Sequence, residues 1–471
     1  MLTVGPALQP ILTADGTIPL STRLLAAVLW VATLGPAWHY LLTPPERRRP
    51  IPFLPVIGLF YGLYYALPVV LDAALLNFAV WIDPLHDYQP AVVAALLGWG
   101  AVLAGYGVFR EHRGWGPFQS VALETVLAPV WASRFLVAGL AIRIAVAIVP
   151  AAQVFGGLAS FLASLVTLGI ALLVVHWRRG SLATGYKLFT VGGIAIATFV
   201  EIGTGIVGML GFIFVTIGLA FWAATPTRLP ISAIAVLVVS ASFMVVLKGV
   251  TAEFRSVAWG GDTTLSITDR AGLAGRLVRD RVVTGGAAAA LTSGSDATVG
   301  RSSNTDLLAE IIRRTPADVP FWNGKTYLSL VGVFVPRLLW PDKPTKNLGQ
   351  DFGHRYRFLD ARDDRTSFNL PWLVEAYANF GWLGVILVGG IVGAIYALLF
   401  RLVNVPGQSV WATAVGIVVM LPLFNIESDF SLTFGGIPLT LVALWVILRA
   451  VSANVMGPRR QAAALYRPAS Y

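Results

Sequence analysis

Apolar stretches of about 20 residues recur along this chain with short polar interruptions, and a helix of that length rises roughly 30 Å, the thickness of a bilayer's hydrocarbon core. Read by apolar continuity, the expected spans are 24–42, 53–71, 91–109, 130–149, 154–175, 188–200, 206–223, 231–247, 372–400, 410–426 and 432–448. With 56% hydrophobic against 12% charged residues, too little polar material remains to coat a soluble globule. The expected fold class is therefore an all-α polytopic membrane protein of about 11 transmembrane helices. Two places leave the number open. The stretch 188–223 holds either two short helices joined at 201–205 or one tilted helix with an interfacial piece. The apolar run 326–340 contains Pro336 and Arg337 and reads as an interfacial or re-entrant segment.

Short loops rich in Lys and Arg mark the cytoplasmic side. Segments 44–50, 110–113, 176–180 and 226–228, with Arg401 and the basic C-terminal tail, fall on one side. Asp72, Asp83, Asp87, Glu427 and Asp429 fall on the other. The first apolar segment is read as a retained helix, since no basic region precedes it and no small-residue cleavage site follows it. The absence of cysteine excludes disulfides, a thiolate nucleophile and Cys metal sites. The pI near 10 suits anionic membrane lipids as partners rather than nucleic acid.

Three domains are expected: an N-terminal bundle over 1–249, a large outward loop over 250–370, and C-terminal helices with a basic tail over 371–471. The loop holds nearly half of the 34 Lys and Arg and over half of the 24 acidic residues. Within it, 265–283 is amphipathic and expected on the membrane surface. Residues 285–303 have the composition of a flexible connector. Residues 302–314 read as a short helix with acids early and Arg313 and Arg314 last, closed by Pro316.

Lys325, Arg337, Lys343, Lys346, Arg355, Arg357, Arg362 and Arg365 crowd around an apolar segment, a density suited to a diphosphate, although each alone also suits a solvated face paired with nearby Asp. His354 is the loop's one histidine and a candidate base; a lone His is more often a surface donor. Glu375 stands where the chain re-enters the membrane, at a depth costly for a carboxylate without a partner, and is the stronger candidate for general base or sugar ligand. Arg143 lies within a span and is the better anion-binding candidate than Arg134, which can snorkel. Glu427 and Asp429 are candidates to bind sugar hydroxyls or orient an arginine, against a plain helix-end loop. No phosphate-binding glycine loop, His cluster or paired-aspartate motif is present, so a metal-free reaction with an activated donor, needing no cofactor, is expected.

Two strings, 327–344 (YLSLVGVFVPRLLWPDKP) and 375–384 (EAYANFGWLG), together with the large loop before the last three spans, resemble the bacterial O-antigen and exopolysaccharide polymerases of the Wzy type. The resemblance implies a GT-C-like inner-membrane glycosyltransferase with its large loop in the periplasm. Its substrate would be undecaprenyl-diphosphate-linked oligosaccharide, with a chain-length regulator as a possible partner. Arg337 and Lys343 match the family's basic motif, and Glu375, Tyr377, Asn379 and Gly381 match its second motif, with Tyr377 and Asn379 expected on the sugar. An O-antigen ligase or a lipid-linked oligosaccharide flippase would share the spans, but the flippase would predict internal repeats that are not visible.

Overall fold

The computed structural model describes residues 18–71, 87–110, 118, 128–148, 156–204, 207–225, 231–260, 265–334, 348–363 and 366–465. Every regular element among them is helical, which is how a backbone satisfies its own polar groups inside lipid. The helices that position the site are α1 (Leu20–Leu42), α2 (Phe53–Tyr65), α3 (Gln89–Arg110), α4 (Ala128–Ile148), α5 (Gly156–Arg178), α6 (Thr184–Thr204), α7 (Val207–Ala224), α8 (Ile231–Gly260), α9 (Ile267–Ser302), α10 (Asn304–Arg314), α11 (Ser329–Phe334), α12 (Leu348–Arg355), α13 (Trp372–Val403), α14 (Val410–Met420), α15 (Phe430–Phe434) and α16 (Ile437–Leu465). Among the described residues, 6 segments are long and apolar enough to cross a membrane: α1, α3, α4, α6, α13, and 430–452, which takes in α15 and much of α16. The remaining expected spans coincide with shorter apolar helices in α2, α5, α7, α8 and α14.

Two sub-bundles are visible. In the first, α1, α2, α3 and α13 pack together, and α3 against α13 is the most extensive pairing. A Cβ at Gly393 would lie 2.0 Å from the Val102 carbonyl oxygen, so only glycine allows these two backbones to approach as they do. The second joins α4 to α9, and α14 touches both through α5, α7 and α13.

At the end of α13 carrying Arg401, a latch closes the first sub-bundle. Arg49 donates to the carbonyls of Phe400 and Asn404 at 3.0 and 2.7 Å, and its guanidinium lies 4.9 Å from the Phe400 ring centroid. The Asn404 amide in turn accepts from Ile51 N and donates to Ile51 O, at 3.0 and 2.9 Å. Arg49 of the basic segment 44–50 thus caps a helix end.

The loop differs from expectation in several places. α8 continues past residue 249 to Gly260, so the membrane helix and the start of the loop are one element. Residues 265–283 are helical and use their apolar face within the protein: Leu265, Leu273, Ala274 and Leu277 pack against Phe254, Ala258 and Ile202. The expected connector over 285–303 is helical, continuing α9 to Ser302 across one break at Gly286 (φ 78°), because its alanines favour helix once α8 supplies a surface. α10 forms where expected, but is seated among α2, α3 and α13, with the Thr305 hydroxyl donating to Tyr65 O at 2.9 Å. Within 326–340, a 3₁₀ turn (Lys325–Leu328) and α11 are described, and residues 335–340 lie outside the described residues.

Candidate functional site

α13 begins after Pro371 and breaks at Gly381, whose φ of 60° and ψ of −143° are open essentially to glycine alone. The half-helix before the break carries Glu375, Tyr377 and Asn379, all buried. Segment 322–326 is zipped onto it: Trp322 N and Asn323 N donate to the carbonyls of Ala378 and Asn379 at 3.0 and 3.3 Å. The Asn379 side chain completes the clasp. Its Oδ1 accepts from Gly324 N, and its Nδ2 donates to Thr326 Oγ1 and to Glu375 O, each at 2.8 Å. Both amide protons are committed within the protein, so Asn379 fastens the clasp and has only the second lone pair of Oδ1 left for a ligand.

Glu375 is 0% exposed. Its Oε2 accepts the Phe430 N–H at 2.7 Å, capping the first turn of α15 from a distant part of the chain. Its Oε1 is buried without a hydrogen-bond partner, beside the Thr326 hydroxyl and within electrostatic reach of Asp429. Asp429 is the local cap of α15, accepting from Leu432 N at 2.9 Å, and burial pushes its carboxyl above the usual range. The Tyr327 ring stacks on Phe380 and meets Phe430 edge-on, at 6.1 and 5.7 Å between centroids. Its hydroxyl is buried without a partner, and both burial and the nearby Glu375 push its pKa up. Two carboxylates, one of them with an oxygen lacking a partner, and one phenol therefore converge at the first half of broken α13. Such a group can take a proton from a bound hydroxyl.

A second charged place lies in the other sub-bundle. Arg143 on α4 makes a bidentate pair with Glu201 on α6, Nε to Oε1 at 2.6 Å and Nη2 to Oε2 at 2.7 Å. The intramembrane cation expected to bind an anion is thus held in a neutralised pair, as a low-dielectric setting demands. It borders a cavity of about 190 Å³ with Ser164 and Thr167, lined also by Val418 and Leu421. Pro422 also lines that cavity, seven residues before Asp429, so one stretch of chain borders both charged places.

Of the other candidates, His354 is exposed and its Nε2 lies 2.9 Å from the Asp363 carbonyl, which ties it to its own loop. Among the described residues it makes no hydrogen bond to Glu375. Tyr377 packs edge-on against Trp382 at 5.6 Å. Glu427 accepts from Asn369 at 3.0 Å, joining the loop's end to the segment before α15. Arg134 lies 4.6 Å from the Trp131 ring centroid. Arg337, Lys343, Lys346 and Arg365 lie outside the described residues. Sequence reading missed Glu201, although the need of buried Arg143 for a counter-charge was a signal for it. It also missed Thr326 and Tyr327, whose roles depend on the clasp.

These features define a multi-pass helical membrane protein with a polar site at a broken helix. Residues 128–405 match the profile of a family described as a domain of unknown function (DUF8712), and the chain belongs to that family. The matched region runs from the start of α4 to just beyond the C-cap of α13. Neither the curated proteins nor the solved structures contain a significant match.

Proposed function

We propose that this protein is a metal-independent polysaccharide polymerase of the bacterial inner membrane. It moves a growing glycan from undecaprenyl diphosphate to the next lipid-linked oligosaccharide repeat at the periplasmic face. On this reading the five shorter apolar helices are also spans, which with the six long ones makes 11, and the clasp faces outward in a GT-C-like arrangement. The observation that carries the reading is the unpartnered Oε1 of Glu375, buried at a helix break beside Thr326 and Asp429. Broken helices with buried polar groups are how membrane proteins build ligand sites within the bilayer.

In the proposed step, a hydroxyl oxygen of the acceptor sugar bonds to the anomeric carbon of the donor glycan. The bond from that carbon to the diphosphate oxygen breaks, Glu375 takes the hydroxyl proton, and the lipid diphosphate leaves with the bonding pair. Arg143, with Arg337, Lys343 and Arg365 from the loop, offsets the charge that develops on the leaving group, the largest kind of stabilisation such a site supplies. Asp429 and Tyr327 flank the Glu375 carboxylate that the acceptor hydroxyl must reach. The test is reaction of the purified full-length protein with a defined lipid-linked repeat. A chelator-resistant ladder is expected from wild type and none from Glu375→Gln; equal ladders from both would overturn the role of Glu375, and no ladder from wild type would overturn the reaction class.

A further inference from the structure

Glu201 does more to Arg143 than neutralise it. Its two oxygens occupy the side-on edge of the guanidinium formed by Nε and Nη2, at 2.6 and 2.7 Å. A guanidinium carries five N–H donors in one plane, so this contact leaves the end-on fork of Nη1 and the second Nη2 proton. Among the described residues nothing accepts from Nη1. The Arg143 side chain is 18% exposed, and the space it borders is the cavity of about 190 Å³ shared with Ser164 and Thr167. On its other side Glu201 meets a crevice of only about 20 Å³ lined by Leu247 and Phe254, room for little more than one water. The open side of the pair is therefore the cavity.

We infer that Glu201 is a positioning residue: by holding the side-on edge of Arg143 it aims the end-on fork into the cavity as a seat for a phosphate or diphosphate group. Planar forks pair two N–H groups with two phosphate oxygens, a match that an ammonium does not offer. When the seat is empty, the pair carries no net charge and so avoids the cost of a lone intramembrane cation. The inference rests on the proposal that Arg143 meets the donor diphosphate, and it adds the residue that orients it.

The test is calorimetric titration of the full-length protein in detergent with two probes, farnesyl diphosphate and inorganic pyrophosphate, at matched folded fractions checked by thermal unfolding. Wild type is expected to bind, and Glu201→Gln to weaken binding on the order of tenfold or more, because an amide accepts at one atom only and loses one charge-assisted bond. Arg143→Lys is expected to lose at least as much, while Glu201→Asp, which keeps the carboxylate, recovers part of the affinity and serves if Glu201→Gln does not fold. Preference for farnesyl diphosphate assigns the seat to a lipid headgroup, and equal binding of both probes assigns it to the phosphate group alone. Unchanged affinity in folded Glu201→Gln overturns the inference, as does failure of wild type to bind either probe. In the latter case a Glu375-dependent ladder leaves the polymerase reading standing; Glu201-dependent binding without any ladder supports the seat and sinks that reading.

Discussion

Glu375 and Glu201 are both buried acids on membrane helices, and the chain treats them in opposite ways. Glu201 gives both oxygens to a guanidinium. Glu375 gives one oxygen to a backbone N–H at the start of a short helix, leaves the other without a partner, and has Asp429 as an electrostatic neighbour. Neutralisation makes a carboxylate cheap to bury but fixes what it can do; partial satisfaction costs more and leaves an atom available for chemistry. The first arrangement suits orientation, the second proton transfer.

The sharpest way to break this contrast is by activity. Glu375→Gln retains the shape and an acceptor for the Phe430 N–H but cannot take a proton, so polymer formation is expected to fall by roughly 10²–10⁴-fold, read as ladder intensity per folded molecule. A loss no greater than that of a surface variant would leave Glu375 a helix cap like any other. For stability the order reverses. Glu201→Ala strands a buried cation and is expected to cost about 3–5 kcal/mol, whereas the double replacement Arg143→Met with Glu201→Leu recovers most of it. Thermal unfolding checks both, and a double variant as unstable as the single one would mean that the pair is not what the site needs.

A smaller effect tests the frame that holds Glu375. Gly381→Ala forces a side chain into a conformation reserved for glycine and brings its Cβ to 3.2 Å from Phe321 Cζ, for an expected loss of about 1–3 kcal/mol in denaturant unfolding. The smallest effect belongs to Asp429→Asn, since Asn caps a helix as well as Asp does. Burial raises the folded-state pKa of Asp429, so the stability it contributes is complete below the ordinary carboxylate range and is lost as pH rises through the raised value. Melting curves of wild type and Asp429→Asn should therefore lie closest in acid and separate towards neutrality, with the Asn variant the more stable there. Parallel curves at all pH values would mean that burial does not raise the Asp429 carboxyl.

What the sequence made legible follows the range of the forces involved. Apolar helices and the short helix closed before Pro316 rest on local pattern, and both were readable. Glu375 stood out because a lone acid among apolar residues violates a local rule. The partner of Arg143 did not, because Glu201 lies 58 residues away and is named only by the packing of α4 on α6. Asn379 looked like a sugar ligand because polar side chains in membranes usually serve ligands. Its amide is instead committed to a segment 53–55 residues earlier, which no periodicity announces. The alanine-rich stretch after 285 failed for the opposite reason: its composition suits a linker in isolation, and α8 changes what it is packed against.

The latch between Arg49, Ile51 and Asn404 joins groups separated by 351 to 355 positions. During synthesis the first two helices enter the bilayer long before their last partner is translated. The whole α4 to α9 unit is laid down in that interval. The first sub-bundle is consequently an interrupted one, begun at one end of translation and closed near the other, and its earliest helices must wait in the lipid with the docking face for α13 open.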